Sequence, residues 1–393
     1  MKEKQVLNNA ENFVVTRGSA LICAVLFMGV LLSGTIYFGL SSVMGISELC
    51  DDYYDGAEYD FGGAWWLDDI FFRDPELRAN VVKYEFLLFG RIDDENIIVG
   101  RDGFLFDAFD SDYGYDYVRD YIGEFAVSDS EIGELAKAIS QRNKVFEDRG
   151  IEYLIAVIPN AQTVYGDKLP AFFGEISPDT RLSRLSERMD AEGADCFLDL
   201  TGALTEARGA GQLYNNTENS LNALGAYYAY LAVFEALPEA FTESRTVLTA
   251  EELDFYTHIT MGRSLAREVG LERLIHNRTV TLPSNVMKKY SHFEHCYDID
   301  VTCSQIEYRH ELPLYPPVLI ELPDGDEWDK ILFSEYFSNT FGEVGYRICQ
   351  TYSEKGLGQF NPRVVIQFIH ENELSALIES EVVSSYERAS GKS

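Results

Sequence analysis

Residues 153–158 read YLIAVI, an unbroken apolar run that stops at Pro159. A short apolar run of this kind, closed by a proline, is typical of a strand buried on both faces of a parallel sheet. A helical pattern precedes it over residues 129–149, and a second helix with a polar face follows over residues 181–192. A buried strand between two helices predicts an α/β fold in which helices wrap a parallel sheet.

The same alternation continues outward from this strand. Further strands are predicted at 96–99, 196–200, 318–322, 346–348 and 363–369, and further helices at 75–89, 222–237, 331–341 and from about Asn372. Asp129 or Ser130 is the predicted N-cap of helix 129–149, and Gly150 is its predicted end. The dipeptide Asp102-Gly103 predicts a hairpin turn after the first strand.

A polar segment, residues 214–226 (YNNTENSLNALGA), stands before helix 222–237. It resembles the Y-x-x-T-D-T-H-W-N-x-x-G-A segment of the AlgX/AlgJ-like, alginate O-acetyltransferase-like branch of the SGNH hydrolases, whose members are also described as DHHW-type. In that family, the Asp and the His of the segment complete a Ser-His-Asp triad. Glu218 stands at the Asp position, Ser220 at the His position and Leu221 at the Trp position.

Two other strings resemble motifs of the same family. Residues 99–106 (VGRDGFLF) resemble V-G-x-D-G-W-L-F, and residues 158–165 (IPNAQTVY) resemble I-P-N-K-x-x-V-Y, with Ala161 in place of the Lys. The resemblance covers about residues 65–380. It implies an SGNH-hydrolase-like, flavodoxin-like three-layer α/β/α sandwich with a parallel sheet.

The nucleophile position departs from the family as well. The family presents its Ser in a G-D-S-F string at a helix N-terminus, and the ungapped match puts Glu327 at the Ser position; a match shifted by two residues puts Gly325 there. A Ser hydroxyl at position 220 is no general base near neutral pH. The resemblance therefore implies a pseudoenzyme with no assigned catalytic residue. By position, its predicted pocket comprises Asp326, Gly325, Asn222, Asn160 and Tyr165 beside the degenerate Glu218, Ser220 and Glu327.

A second serine stands in a string that superficially resembles a nucleophile elbow, G-x-S-x-G. Residues 262–266 read GRSLA, which lacks the second Gly, and no buried strand pattern precedes them. We therefore interpret Ser264 as part of a packing helix rather than as a nucleophile.

Residues 19–40 form an uncharged, mostly apolar run of about the length that crosses a bilayer as a helix. Three basic residues in the first 18 positions and six acidic residues between positions 48 and 60 predict a cytoplasmic N-terminus. A cleaved signal peptide is the alternative, although no A-x-A-like site follows. The predicted organisation is a cytoplasmic tail (1–18), a transmembrane anchor (19–40), a juxtamembrane acidic and aromatic segment with a helix (41–95) and an extracytoplasmic domain (96–393).

The charge composition of the chain limits the classes of ligand that it can bind. The chain has 65 acidic and 32 basic residues, a formal net charge of −33, which argues against nucleic acid or anionic lipid as a ligand. The sequence contains neither a C-x-x-C pair nor a His-rich spacing that would indicate a metal site, and it predicts no cofactor. Cys296 and Cys303 are close enough in sequence to form a local disulfide in an oxidising compartment.

Three functions stay open at this point. Loss of both the base and the nucleophile favours a non-catalytic component that binds a glycan or a partner in cell-envelope or exopolysaccharide O-acetylation. The second is an enzyme that uses non-standard residues, either an acyltransferase or esterase, or a carboxylate-based catalyst in which Glu218, Asp326 and Glu327 converge. The third is a structural assembly subunit that engages a membrane acyltransferase.

Overall fold

The computed structural model describes residues 75–378, except residues 91, 93, 126, 244–246, 284–292, 301–302, 310–316, 323–332, 334–335, 342 and 350–359. The described residues belong to one compact unit, Asp74–Ser393. The predicted tail, the predicted anchor and most of the predicted juxtamembrane segment lie outside them. Among the described residues, no helix is both long enough and apolar enough to span a bilayer.

Strands and helices alternate along most of the chain. The strands are β1 Ile97–Val99, β2 Leu105–Asp107, β3 Phe109–Asp110, β4 Tyr115–Asp116, β5 Glu152–Ile158, β6 Phe197–Asp199, β7 Tyr256–Met261, β8 His276–Thr281, β9 Phe293–Asp300, β10 Cys303–Arg309, β11 Val318–Leu322, β12 Glu343–Cys349 and β13 Val364–His370. The α-helices are α1 Pro75–Phe89, α2 Tyr117–Tyr121, α3 Asp129–Glu147, α4 Ala161–Val164, α5 Arg181–Glu192, α6 Thr201–Ala207, α7 Ala223–Ala236, α8 Glu239–Thr242, α9 Ala250–Leu253 and α10 Ser264–Glu268. Short 3₁₀ turns occupy Gly166–Lys168, Ala171–Phe173, Arg208–Ala210 and Glu371–Leu377.

The central sheet has seven strands in the order β6-β5-β13-β11-β12-β10-β9. The five strands from β6 to β12 are parallel, whereas β10 and β9 extend the sheet in antiparallel fashion. Counted along the chain, the parallel strands lie in the order 2-1-5-3-4, which differs from the flavodoxin order 2-1-3-4-5. The last strand, β13, is inserted between β5 and β11. The carboxyl end of β13 therefore lies at the middle of the sheet edge.

Strand β5 shows how the sheet is covered on both faces. Successive side chains of a strand point to opposite faces. Tyr153, Ile155 and Val157 belong to a core that includes buried residues of α3 and α5. Leu154, Ala156 and Ile158 belong to a second core that includes buried residues of α7 and the helical residues 336–340. The three-layer α/β/α arrangement follows from this double burial.

A third, smaller core lies under the hairpin β1–β2. It joins Ile97 of β1 and Leu105 of β2 to Leu265 and Ala266 of α10, and Val82 and Phe86 of α1 pack against it. Leu265 and Ala266 are buried, as a packing helix requires. The strand before this helix, β7, is exposed along most of its length.

The predicted SGNH-like α/β fold with a parallel sheet is confirmed. Helix α5 has the predicted bounds, and the turn at Asp102 and Gly103 is confirmed by their φ values of 57° and 81°. Gly150 closes α3 with a φ of 69°. The predicted strand 346–348 is longer, at Glu343–Cys349.

Two local predictions are corrected. The N-cap of α3 is Ser128, not Asp129 or Ser130, because Ser128 and Glu131 exchange hydrogen bonds in a capping box. The segment after β13 is a 3₁₀ helix, which begins at Glu371.

Cys296 and Cys303 stand on adjacent antiparallel strands, but in the backbone register Cys296 is opposite Ile306 and not opposite Cys303.

Candidate functional site

Three family-like motifs converge at the carboxyl edge of the sheet. Tyr214 donates its hydroxyl to the carbonyl of Pro159 at 2.6 Å, and the N–H of Ala161 donates to Asn219 Oδ1 at 2.9 Å. Asn216 Nδ2 donates to the carbonyl of Gly103 at 2.6 Å. The segment 214–222 is thus bound both to the end of β5 and to the turn between β1 and β2.

This segment folds back on itself before α7. Tyr214 and Leu221 form an antiparallel bridge, and the N–H of Asn215 donates to the carbonyl of Ser220 at 2.9 Å. Asn222 then caps α7, because its Oδ1 accepts the N–H groups of Leu224 and Gly225. The narrow loop places the side chains of positions 218 and 220 side by side.

Glu218 is the acceptor at the centre of this loop. Its Oε2 accepts Ser220 Oγ at 2.9 Å and the guanidinium Nη1 of Arg263 at 2.8 Å. Its Oε1 accepts Ser264 Oγ at 3.3 Å, and Asn215 Nδ2 lies 3.4 Å from Oε2. The Glu218 side chain is 9% exposed and that of Arg263 is 26% exposed. Glu218 is therefore a largely buried carboxylate whose hydrogen bonds come from an Arg, two serines and an amide.

A second set of bonds fixes the loop from the opposite side. Thr217 Oγ1 accepts the N–H of Arg263 at 2.9 Å, and its carbonyl accepts the N–H of Leu265 at 3.2 Å. Asn277 of β8 is fully buried and donates to Asn215 Oδ1 at 3.2 Å. Helix α10 and strand β8 therefore hold the loop in the geometry that joins Glu218 to Arg263.

A small acidic cavity adjoins this region. Its volume is about 230 Å³, and its lining includes Asp107, Asp110, Glu268 and the rings of Phe109 and Tyr117. Burial, followed by repulsion from Asp110 and Glu268, raises the pKa of Asp107 to about 7. Asp107 therefore carries a proton over a wider pH range than an exposed Asp does.

A buried polar network lies beneath the end of β5. The Glu371 carboxylate accepts the N–H of Asn160 at 2.7 Å, and Asn160 Nδ2 donates to Tyr115 Oη at 3.1 Å. Tyr115 in turn donates to Asp120 at 2.5 Å, and the Arg181 guanidinium stacks on the Tyr115 ring at 4.3 Å. Burial and the nearby Asp120 raise the pKa of Glu371 above the ordinary value of 4.5.

We expect Glu371 to make stability depend on pH. Because its folded-state pKa is raised, the folded protein keeps a proton that the unfolded chain loses above about pH 4.5. Stability should therefore be highest at acidic pH and fall as pH rises through the raised pKa, and Glu371→Gln should flatten this slope. Urea unfolding at about pH 5 and about pH 8 measures it. Glu187→Gln, on the exposed face of α5, is the control; a slope that persists in Glu371→Gln contradicts the assignment.

The structure places the predicted site residues as follows. Glu218 and Ser220 are in contact, which the sequence match implied. Asn160 and Asn222 are buried and bonded within the protein, and Tyr165 Oη accepts the N–H of Leu213 at 2.9 Å. All three therefore hold the fold around the loop. Gly325, Asp326 and Glu327 lie outside the described residues, so their convergence with Glu218 stays a prediction.

Sequence reasoning missed the partners of Glu218. Arg263 is 45 positions away, in the string that drew attention only for its serine. Asn277 and Asp107 come from strands whose pattern carries no sign of a site. No local spacing identifies such partners, because the fold alone brings α10 and β8 to the loop. Within the described part of the chain, no His, Cys, Asp and Glu residues are grouped to hold a metal ion.

The parallel sheet, the convergent motifs and the Glu218 loop (residues 214–222) define an SGNH-hydrolase-like α/β domain. Residues 97–279 match the family model of the SGNH hydrolase-like domain of the acetyltransferase AlgX. This part of the chain, which contains the Glu218 loop, belongs to that family. A comparison with curated proteins found no match.

Several solved structures resemble the chain. The O-acetyltransferase domain of Pseudomonas putida AlgJ is 15% identical, with 71% of this chain and 92% of that chain covered and a TM-score of 0.42. Bacillus cereus PatB1 is 12% identical, with 72% and 97% covered and a TM-score of 0.45. A DHHW family protein from Eubacterium siraeum is 14% identical, with 75% and 96% covered and a TM-score of 0.46.

Proposed function

We propose that this protein is a membrane-anchored, extracytoplasmic component of cell-envelope polysaccharide O-acetylation that binds a glycan or a partner without catalysing acyl transfer. The family of residues 97–279, named for an acetyltransferase, supports the link to acetylation. The predicted anchor at 19–40 and the acidic residues after it support the location. The candidate partners are an envelope polysaccharide and a membrane acyltransferase.

The observation that carries the proposal is the set of hydrogen bonds around Glu218. In a Ser-His-Asp triad, the carboxylate orients an imidazole, and the imidazole accepts the proton of the nucleophile. Here the carboxylate accepts the Arg263 guanidinium and the Ser220 hydroxyl instead. Neither group accepts a proton near neutral pH, because the guanidinium stays protonated and the hydroxyl is a very weak base. The acceptor that acyl transfer needs is therefore missing from its family position.

One observation favours a second candidate, a carboxylate-based enzyme. Asp107 has a pKa raised to about 7, and Glu218 is one of the charges that raise it. A carboxyl group whose pKa lies near neutral pH suits a general acid or a general base. A carboxylate-based activity would therefore depend on Asp107.

The proposal is tested by restoring the family residues in the full-length protein. We expect wild type to show no hydrolysis of a chromogenic acetyl ester above background. The triple variant Glu218→Asp, Ser220→His, Glu327→Ser should gain activity, because an intact triad contributes roughly three orders of magnitude or more. The matched control is Glu218→Asp, Glu327→Ser, which keeps Ser220 and therefore lacks the imidazole.

The same preparations are tested for binding to acetylated polysaccharide by co-sedimentation, where wild type should bind. Wild-type hydrolysis that Glu218→Gln abolishes would contradict the absence of catalysis. Wild-type hydrolysis that Asp107→Asn abolishes would favour the carboxylate-based enzyme. A wild-type protein that neither hydrolyses nor binds would leave the assembly subunit, with a membrane acyltransferase as its partner.

A further inference from the structure

Three of the six cysteines stand on the neighbouring strands β9, β10 and β12. Cys296 is in β9, Cys303 is the first residue of β10, and Cys349 is the last residue of β12. In the antiparallel register of β10 and β12, Cys303 lies directly opposite Cys349. The register then continues one residue at a time to the pair Arg309 and Glu343 at the other end of the ladder. The opposition of the two cysteines is therefore set by the whole length of both strands.

Direct opposition on antiparallel strands meets the geometric needs of a disulfide. Residues that are opposed in this way have Cα atoms about 4.5–5.5 Å apart, and they belong to the same face of the sheet. A disulfide spans Cα atoms that are about 4.4–6.8 Å apart. The backbone positions of Cys303 and Cys349 therefore suit a disulfide without movement of either strand.

The same backbone argument excludes two other described cysteines as partners of Cys303. Cys296 is opposite Ile306, three residues along β10 from Cys303, which separates the two cysteines by roughly 10 Å along the strand. Cys196 directly precedes β6, and five strand spacings, about 24 Å, separate β6 from β10. Both separations exceed the limit of about 7 Å between the Cα atoms of a disulfide.

We propose that Cys303 and Cys349 form a disulfide that joins β10 to β12. This inference rests on the extracytoplasmic location in the proposed function, because disulfides persist in oxidising compartments. The two thiols are oxidised as the S–S bond forms. Their two electrons and two protons pass to the disulfide of a thiol oxidoreductase, which is reduced to two thiols.

The bond lies at the sheet edge that carries the predicted site. Strand β12 runs parallel to β11 and ends at Cys349, so this cysteine stands at the carboxyl edge of the sheet, where the Glu218 loop also lies. Residues 304–348, which the bond closes into a loop, include β11 and the predicted nucleophile positions 325–327. The disulfide therefore ties the antiparallel strands β9 and β10 to the parallel sheet and restrains both ends of the segment that carries those positions.

Peptide mapping of the full-length protein without reduction tests the pairing. Cells that express the protein are lysed and denatured in an alkylating reagent, which blocks free thiols. The purified protein is digested with trypsin and with a protease that cleaves after Asp and Glu, because acidic residues at 298 and 300 lie between Cys296 and Cys303. We expect mass spectrometry to find the peptide of Cys303 linked to that of Cys349, and to find Cys196 alkylated because it is a free thiol. The control Cys296→Ser should keep the link.

Thermal unfolding provides a second measurement. Closing a loop of this length should raise the Tm by roughly 5–10 °C, because the crosslink lowers the entropy of the unfolded chain. Dithiothreitol should therefore lower the Tm of the wild type by about this amount. It should leave the Tm of the double variant Cys303→Ser, Cys349→Ser unchanged. An equal effect of dithiothreitol on both proteins would overturn the proposal.

The outcomes of the mapping separate the pairing from the location. Cys303 and Cys349 that are both alkylated, even after the unblocked protein has been incubated with oxidised glutathione, would overturn the pairing. A link from either of them to Cys50 or Cys296 would also overturn it. A link that forms only after incubation with oxidised glutathione would support the pairing and contradict the extracytoplasmic location. None of these results depends on ester hydrolysis or on glycan binding, so those parts of the proposed function stand or fall separately.

Discussion

Gly225→Ala is expected to destabilise the protein by roughly 1–3 kcal/mol, although alanine is the better helix former by about 1 kcal/mol. A Cβ at this position would overlap the carbonyl oxygen of Leu213 and lie 2.9 Å from Leu221 Cδ2. The Leu213 carbonyl cannot move freely, because it accepts the N–H of Asn222 at 2.8 Å. The close approach of α7 to the Glu218 loop therefore requires glycine.

Gly202→Ala is the matched control for this prediction. Gly202 lies in the first turn of α6, and a Cβ there would meet nothing within 4 Å. We expect this substitution to stabilise the protein by about 0.5–1 kcal/mol. Urea unfolding of both variants measures the difference in the free energy of unfolding. Equal effects of the two substitutions would contradict the packing of α7 against Leu213.

Arg263→Ala is expected to cost about 3 kcal/mol, the lower end of the range for breaking a buried ion pair. The lower end applies because part of the Arg263 side chain is exposed, whereas Glu218, which loses its cation, is buried. The loss should be accompanied by weaker protection of the 214–222 backbone, because Ser220 and Asn215 are bonded to the same carboxylate. Urea unfolding and hydrogen exchange measure the two effects.

Two variants test the cause of this loss. Arg267→Ala removes an exposed arginine one turn further along α10 and should change stability by no more than about 0.5 kcal/mol. Glu218→Gln in the Arg263→Ala background should recover part of the loss, because the orphaned charge is removed. A loss of similar size in Arg267→Ala, or no recovery with Glu218→Gln, would mean that the ion pair does not hold the loop.

The Glu218 loop is fixed by hydrogen bonds to several parts of the domain. Tyr214 bonds the loop to Pro159 at the end of β5, Asn216 bonds it to Gly103 in the turn after β1, and Asn222 bonds it to Gln212. Glu218 and Ser220, which the family resemblance aligns with the Asp and the His of a triad, form part of a network that includes Arg263. These hydrogen bonds satisfy the buried polar groups of the loop.

The sequence by itself predicted the main elements because their signals are local. The apolar run at 153–158, the helix at 181–192 and the turn at Asp102 depend on residues a few positions apart. The N-cap of α3 was missed by one residue, because several adjacent polar side chains are equally suitable and only Ser128 completes the bonds with Glu131. The departures from the family motif at Glu218 and Ser220 stay predictions, which rest on the motif resemblance alone.

Only the tertiary structure decided which groups surround the residues that the sequence singled out. Arg263 reaches Glu218 because α10 packs under β1–β2, and Glu371 reaches Asn160 because β13 is inserted beside β5. The raised pKa of Asp107 depends on its burial and on charges far away in the chain, such as that of Glu268. A helical or strand pattern reports the face that a residue occupies, but it does not report what packs there. Contacts between residues far apart in the chain are set by topology, which the periodicity of a single segment does not contain.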